Sequence, residues 1–251
     1  YLTRHFDRLE NYKYTAIGTH LNAAINLMIE YRWKPVSYLQ FSAGVQLMHF
    51  SNGSTKTPNY GLNIPSLSGG VAFRLNKENS FIRRRARPDL TMFEFDGKEF
   101  LEIKLGTTIA TKETGDTDGK RYSVYSGFLS ATKNLGYKHK LGLCLDLSWD
   151  GSDALLVART NVEPYNKIDL TKPGMSAAYE MVLSRMSFAF NFGFYFGGKD
   201  KSEGLTYYKA GINYLITKNV FANLTLKTHF ARADFVGVGL GYRFKWSYNL
   251  K

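Results

Sequence analysis

Apolar residues alternate with small or polar residues, at a period of two, along most of this chain. In "KLGLCLDLSW", residues 140–149, Leu, Leu, Leu, Leu and Trp occupy one set of positions, and Gly, Cys, Asp and Ser occupy the other. Successive side chains of a β-strand point to opposite faces of its sheet, so this pattern predicts strands. Eleven segments show it, and a partial twelfth precedes them at Tyr1; the eleven are about residues 20–33, 37–51, 63–75, 100–112, 121–133, 140–149, 176–185, 187–197, 205–216, 220–231 and 235–246.

The lengths of the segments and of their connections indicate strands that cross a membrane. Many segments reach the roughly 9–11 residues that a tilted strand needs to span a bilayer. Tight turns such as "SRM" and "TKN" alternate with longer polar loops such as "SNGSTKTPNYG" and "GGKDKSEG". Short turns at one end and long loops at the other are typical of outer-membrane barrels. Aromatic residues near the segment ends fit interfacial girdles; they include Tyr31, Trp33, Trp149, Phe196, Phe244 and Trp246.

The predicted fold is therefore all-β: a transmembrane, antiparallel up-and-down β-barrel of about 12 or more strands. A single domain would span residues 1–251, with a periplasmic-side insertion near residues 76–99 that contains "RRRAR". The chain starts like the exit of a strand, which indicates either a mature form or absent N-terminal strands. A soluble lipocalin-like barrel is the alternative, but its outer face would be rich in Lys, Glu and Thr. Charged residues of the less apolar faces are expected to pair in the lumen, because unpaired buried charge is costly; they are Glu30, Arg74, Glu102, Lys104, Asp146 and Arg243.

The charge balance favours an anionic partner. The chain has 33 Lys+Arg against 21 Asp+Glu, a formal net charge of +12. It carries no nucleic-acid-binding motif, so an acidic lipid is preferred over nucleic acid. Its one cysteine, Cys144, excludes an intrachain disulfide and gives no cysteine metal site. We predict no metal or cofactor, and we interpret "WDGSD" as a polar loop rather than a cation site.

Polar side chains follow an apolar strand in "LMHFSNGSTKTPNYGLN", residues 47–63. Alternation places His49 and Ser51 on the apolar, lipid-facing side, at the long-loop end, and Asn63 opens the next strand on the same face. A serine hydroxyl becomes a good nucleophile when a base such as histidine takes its proton, and a third group orients the imidazole. A developing oxyanion needs donors, for which Asn52 and the backbone amides of "SNGS", including Gly53, are candidates. The alternative is a set of interfacial polar residues that bind headgroups or loop backbone.

The segment "HFSNGSTKTPNYGLN" resembles the active-site segment of the lipid A 3-O-deacylase family and of related acyloxyacyl hydrolases. Their pattern is His-aromatic-Ser-Asn, a short polar loop, Pro-Asn-x-Gly and then an acidic residue; it is matched here by His49, Phe50, Ser51, Asn52, Pro58, Asn59 and Gly61. The resemblance covers about 15 residues. It implies an outer-membrane barrel with Ser51 as nucleophile and His49 as base on the lipid-facing wall. Asn63 stands where the family has an acid, normally Glu.

The predicted function is hydrolysis of an ester-linked acyl chain of lipid A, the anchor of lipopolysaccharide, by an integral protein of the bacterial outer membrane. Ser51 would attack, His49 would relay the proton and Asn63 would orient His49. The acyl chain would lie along the apolar residues Leu47, Leu67 and Phe73. The lipid phosphates would bind the cation Lys56. One alternative is an inactive barrel that binds lipid or joins protein partners as a scaffold, and the absent Glu favours it. Another is a small-solute channel.

Overall fold

The structure is a computed structural model that describes residues 4–75, 99–114, 119–159, 166–199, 204–230 and 232–248. These residues form eleven strands: β1 (Ala23–Val36), β2 (Leu39–Ser51), β3 (Leu62–Phe73), β4 (Glu99–Glu113), β5 (Arg121–Leu135), β6 (His139–Asp150), β7 (Thr171–Leu183), β8 (Met186–Tyr195), β9 (Thr206–Leu215), β10 (Val220–His229) and β11 (Arg232–Tyr248). A helix, α1 (Asp153–Arg159), and a 3-10 helix (Lys167–Leu170) lie between β6 and β7. Neither they nor any other helix of the described residues has the length and apolar character needed to cross a membrane.

Each of the eleven alternating segments overlaps one strand, but the strands do not form one barrel. β4 to β11 close an eight-stranded barrel, and β1 to β3 form a separate three-stranded sheet. The prediction of a barrel of about 12 or more strands is therefore wrong. Alternation reveals the two faces of a strand and says nothing about its pairing partner. The barrel closes because β11 pairs antiparallel with β4, with Trp246 opposite Leu101.

The partial strand predicted at Tyr1 begins outside the described residues, and no strand continues it from residue 4 onward. Residues 4–22 contain only an isolated bridge between Asp7 and Asn11. The insertion predicted near residues 76–99 falls outside the described residues, apart from the first residue of β4. The chain divides into two units, one of residues 1–52 and 58–92 and the other of residues 53–57 and 93–251. That residues 1–251 form a single domain stays a prediction.

The barrel wall is apolar outside and polar inside. Leu143 on β6 points outward with 58% of its surface exposed, whereas Glu102 on β4 points inward and is fully buried. A soluble barrel has the opposite arrangement, because water favours polar groups outside and an apolar core inside. An outward apolar band with a polar interior is typical of transmembrane barrels. The soluble alternative is therefore excluded for this unit.

Paired charges fill the barrel interior near the tight-turn end. Glu102 accepts hydrogen bonds from Lys140 at 2.6 Å and from Arg243 at 3.3 Å. Glu180 accepts one from Lys104 at 2.5 Å. Three cations thus surround two carboxylates, which satisfies groups that would be costly to bury alone. The predicted lumenal pairing of Glu102, Lys104 and Arg243 is confirmed. For Glu30 and Arg74 the prediction is wrong, because both belong to the other unit, where Glu30 pairs with Arg32.

Further paired groups occupy the middle and the long-loop end of the barrel interior. In the middle, Asp146 pairs with Lys209 and accepts a hydrogen bond from the Tyr207 hydroxyl at 2.6 Å. At the long-loop end, the Lys112 ammonium lies between the carboxylates of Asp150 and Asp234. A cavity of about 60 Å³ remains among the side chains of the interior. Paired side chains at three levels disfavour the channel alternative.

The three-stranded sheet also has one apolar face. β2 pairs antiparallel with β1 on one side and with β3 on the other. Residues directly opposite each other in such a ladder point to the same face. The ladder therefore assembles one exposed apolar surface; it includes Ile25, Leu27, Ile29, Tyr31, Trp33, Phe41, Val45, Leu47, Leu67, Val71 and Phe73. His49, Ser51 and Asn63 lie at one end of this surface.

Candidate active site on the three-stranded sheet

His49 and Asn63 are direct cross-strand partners. They face each other in the β2–β3 ladder, and His49 Nδ1 lies 2.7 Å from Asn63 Oδ1. An amide oxygen only accepts hydrogen bonds, so Nδ1 carries the ring proton in this pair. In a neutral imidazole, a proton at Nδ1 leaves Nε2 unprotonated. This is the tautomer that a general base needs.

Ser51 lies two residues after His49 on the same face of β2. Its ladder partner is Ala23 on β1. Same-face neighbours along a strand are about 6.6 Å apart at their backbones. No hydrogen bond joins Ser51 Oγ to His49 within the part of the chain that the structure describes. Nucleophile–base contacts are often long without substrate and tighten in the bound complex.

Asn59 holds the backbone that follows Ser51. Its Oδ1 accepts a hydrogen bond from the Asn52 backbone N–H at 3.0 Å, and Asn52 is 6% exposed. The Asn52 N–H, a candidate donor to the oxyanion, therefore already donates its hydrogen bond to Asn59. Sequence reasoning gave Asn59 no role of its own, although an Asn beside Pro58 in a turn-rich loop is a signal for a side chain that bonds to backbone. The oxyanion role of Asn52 stays a prediction.

The candidate residues Gly53 and Lys56 belong to the unit that contains the barrel. Gly53 adopts a φ of 63°, and a Cβ there would lie 2.2 Å from Val236 Cγ2, so only glycine fits. The next residue, Ser54, donates a hydrogen bond to the Ala233 carbonyl at 2.6 Å. Thr57, after Lys56, donates its N–H to Glu113 Oε2 at 2.8 Å. Glu113 thus anchors this segment, a role that sequence reasoning missed.

The three apolar candidates share the face of His49 at different distances from it. Leu47 directly precedes His49 on that face, and Leu67 lies four residues beyond Asn63 on β3. Phe73 ends β3, ten residues beyond Asn63, which corresponds to about 33 Å along a strand. A whole hydrocarbon core is about 30 Å thick. Leu47 and Leu67 are therefore near the polar residues, whereas Phe73 is at the opposite end of the sheet.

The two carboxylates of "WDGSD", Asp150 and Asp153, form ion pairs. Asp150 pairs with Lys112, and Asp153 lies 2.9 Å from Lys172. In the following 3-10 helix, the Asn166 N–H and the Lys199 ammonium hold the pKa of the Asp169 carboxyl below its usual range. The described ranges contain no group of three or more His, Cys, Asp and Glu residues arranged to hold a metal ion.

Two family profiles match the chain. One, described as lipid A 3-O-deacylase (PagL), matches residues 3–72, which include the His49 segment, β1, β2 and all but the last residue of β3. The other, described as acyloxyacyl hydrolase, C-terminal domain, matches residues 101–246, which cover the barrel except for the first two residues of β4 and the last two of β11. The chain belongs to the lipid A 3-O-deacylase and acyloxyacyl hydrolase family. This membership confirms the resemblance of the His49 segment and supports an outer-membrane protein.

The solved structures that match the chain have low identity and low TM-scores. A designed transmembrane barrel is 12% identical, with a TM-score of 0.32, and the match covers 59% of this chain and 96% of that one. An outer-membrane channel from Pseudomonas putida F1 is 12% identical, with a TM-score of 0.25 and coverages of 90% and 83%. A mutant porin of Rh. blastica is 9% identical, with a TM-score of 0.22 and coverages of 90% and 94%. No curated protein matches. The family assignment rests on the two profiles alone.

Proposed function

We propose that this chain is a carboxylic-ester hydrolase of the bacterial outer membrane that removes an acyl chain from lipid A in the outer leaflet. The hydrogen bond between His49 Nδ1 and Asn63 Oδ1 carries this proposal, because it leaves Nε2 as the basic nitrogen beside a serine on the same face. The matching family, whose profile bears the name lipid A 3-O-deacylase, supports the substrate class.

Ser51 is the nucleophile in the first half of the proposed reaction. As Ser51 Oγ attacks the ester carbonyl carbon, its proton passes to His49 Nε2. The tetrahedral intermediate collapses when the bond to the alcohol oxygen breaks, and His49 returns the proton to that oxygen. The products are the lipid A alcohol and a Ser51 acyl ester.

Water completes the reaction in the second half. His49 Nε2 takes one proton from water as the oxygen attacks the acyl-enzyme carbonyl. Cleavage of the bond to Ser51 Oγ releases the fatty acid, and the proton returns to Ser51. Throughout both halves Asn63 Oδ1 keeps the Nδ1–H hydrogen bond and so maintains one ring orientation.

The exposed apolar face of the sheet is a suitable surface for the acyl chain. Leu47 and Leu67 are 42% and 86% exposed, and both continue the face that bears His49. An acyl chain along this surface would run away from the polar end, with the ester carbonyl near Ser51. The lipid phosphates suit the formal net charge of +12, because a basic chain attracts anionic partners; Lys56 as their contact stays a prediction.

An inactive, lipid-binding barrel is the second candidate, and Asn63 is the observation that favours it. The neutral amide orients His49 but supplies no negative charge to stabilise the imidazolium that forms during attack. Such a protein would use the same apolar face to bind lipid A, or to contact a partner protein, without cleaving the ester.

Mass spectrometry of lipid A distinguishes these two candidates. We expect lipid A from Gram-negative cells that produce the chain to lose the mass of one acyl group, whereas lipid A from cells without it keeps that mass. Heat-dependent gel mobility of the outer-membrane fraction would show that the protein is folded. Unchanged lipid A in cells with the folded protein would contradict the hydrolase and favour the lipid-binding barrel.

Restoring the family acid is expected to accelerate hydrolysis. Replacing a triad Asp by Asn costs about 10⁴-fold in one well-studied protease, largely because the wrong histidine tautomer results. Here Asn63 already accepts from Nδ1, so only the charge is missing, and we expect Asn63→Glu to raise kcat on the order of 10–100-fold. Asn63→Gln has the same length without the charge and is the matched control. Equal rates for the two variants would show that charge at this position is unimportant.

A further inference from the structure

We propose that Gly61 and Ala16 position the imidazole of His49. Ala16 holds Gly61 in a left-handed conformation, and the bare Cα of Gly61 lies against the ring edge that carries Nε2. The catalytic meaning of this inference rests on the proposed function, whereas the contact itself does not. Neither residue reaches the reacting atoms, so both are positioning residues.

Gly61 is fixed by its backbone. Its φ is 77°, a region that side chains disfavour, and its N–H donates a hydrogen bond to the Ala16 carbonyl at 2.9 Å. This hydrogen bond favours the left-handed conformation among those that glycine can adopt. The conformation of Gly61 is therefore set by the segment that precedes β1.

The absence of a side chain at Gly61 leaves room for the imidazole. A Cβ built on Gly61 would lie 2.7 Å from His49 Cε1 and 3.5 Å from His49 Nε2. The first distance is far below van der Waals contact, so the ring would have to move. His49 is thus held at Nδ1 by Asn63 and bounded at Cε1 by Gly61. These two contacts restrict the direction in which Nε2 points.

The segment that carries Ala16 is itself anchored. Ile17 is 2% exposed, and its carbonyl accepts a hydrogen bond from the Phe6 N–H at 2.9 Å. A buried residue directly beside Ala16 fixes the position of the Ala16 carbonyl. The region before β1, for which the sequence predicted only the end of a strand, therefore supports the site.

Three glycine-to-alanine variants separate the proposed contact from general effects of the substitution. Gly61→Ala introduces both the contact with His49 and the backbone strain. Gly136→Ala introduces the strain alone, because Gly136 has a φ of 74° and nothing within 4 Å of a Cβ. Gly69→Ala, on the strand β3 that follows Gly61, introduces neither, because the atom nearest to a Cβ there is the Ser42 carbonyl oxygen at 4.0 Å.

The first readout is the His49 ring signal, measured by NMR of protein labelled with ¹³C-histidine in detergent micelles. The His49 Cε1–H signal is assigned as the one that disappears in His49→Gln. We expect Gly61→Ala to shift it, and the Gly136 and Gly69 variants to leave it at the wild-type position. An unshifted His49 signal in folded Gly61→Ala would overturn the inference. This measurement does not require hydrolysis, so it tests the contact even where lipid A is not cleaved.

The second readout is steady-state hydrolysis of lipid A. A displaced base lowers the rate of the chemical step. We therefore expect Gly61→Ala to reduce kcat on the order of 10–100-fold with KM unchanged. A rise in KM with constant kcat would contradict a positioning role. If Gly61→Ala does not fold, Gly61→Asn replaces it, because asparagine tolerates a left-handed backbone while keeping the Cβ. The same shift of the His49 signal is expected, and its absence would overturn the inference.

Discussion

Lipid A is expected to keep all its acyl chains in cells that produce Ser51→Ala, while the wild-type chain removes one. Ser51 is the only candidate nucleophile on the face of β2 that carries His49 among the described residues. Without its Oγ no acyl-enzyme forms, and loss of the nucleophile in serine hydrolases costs several orders of magnitude in kcat. We expect a reduction of roughly 10³-fold or more in hydrolysis of purified lipid A in detergent.

Ser42→Ala is the matched control for Ser51→Ala. Ser42 lies on the same strand but on the opposite face, where it is paired with Arg32 on β1 and Gly70 on β3. The substitution is chemically identical, and we expect wild-type activity. Retention of activity by Ser51→Ala would assign the nucleophile elsewhere, and equal loss in both variants would indicate damage to the sheet rather than to the chemistry.

Glu102→Ala is expected to destabilise the barrel by about 3–5 kcal/mol, because removing one partner of a buried ion cluster leaves the remaining charges buried without compensation. Glu102 is fully buried and accepts hydrogen bonds from Lys140 and Arg243. After the substitution, Glu180 alone faces the cations of this cluster. The free energy of unfolding, measured by urea titration in lipid vesicles or detergent, checks the prediction.

Glu99→Ala controls for the loss of one negative charge. Glu99 pairs with Lys133 at 2.7 Å, but both side chains are more than a third exposed. Exposed pairs contribute about 0–1 kcal/mol, so we expect a small change in unfolding free energy. Equal destabilisation by the two variants would mean that burial of Glu102 is not what makes its ion pairs important.

The strands were predictable from sequence because a membrane imposes the same alternation on each of them. The outward Leu residues of β6 and its inward Cys144, Asp146 and Ser148 follow that pattern without exception. The number of strands in the barrel was not predictable by this route. The barrel closes where β11 pairs with β4, and the residues of these two strands are more than a hundred positions apart in the sequence. Alternation within a strand carries no information about such a partner.

The site was predictable in part, for a similar reason. His49, Ser51 and Asn63 follow from alternation and a short loop, and the structure places Asn63 directly opposite His49. Contacts that depend on backbone conformation were not predictable. The approach of Gly61 to the imidazole requires a left-handed φ and a carbonyl from residue 16. Neither is encoded in the alternating pattern.

The ion cluster at the tight-turn end also bears on how the barrel assembles. Arg243 on the last strand reaches Glu102 on the first strand of the barrel, 141 residues earlier in the chain. A set of hairpins that entered the membrane one at a time would expose these charges to hydrocarbon until the last strand arrived. Insertion is therefore favoured only when the strands join as a cooperative unit, and the long sequence separation makes that joining slow. Pairing of β11 with β4 and neutralisation of the charges inside the barrel therefore belong to the same step of folding.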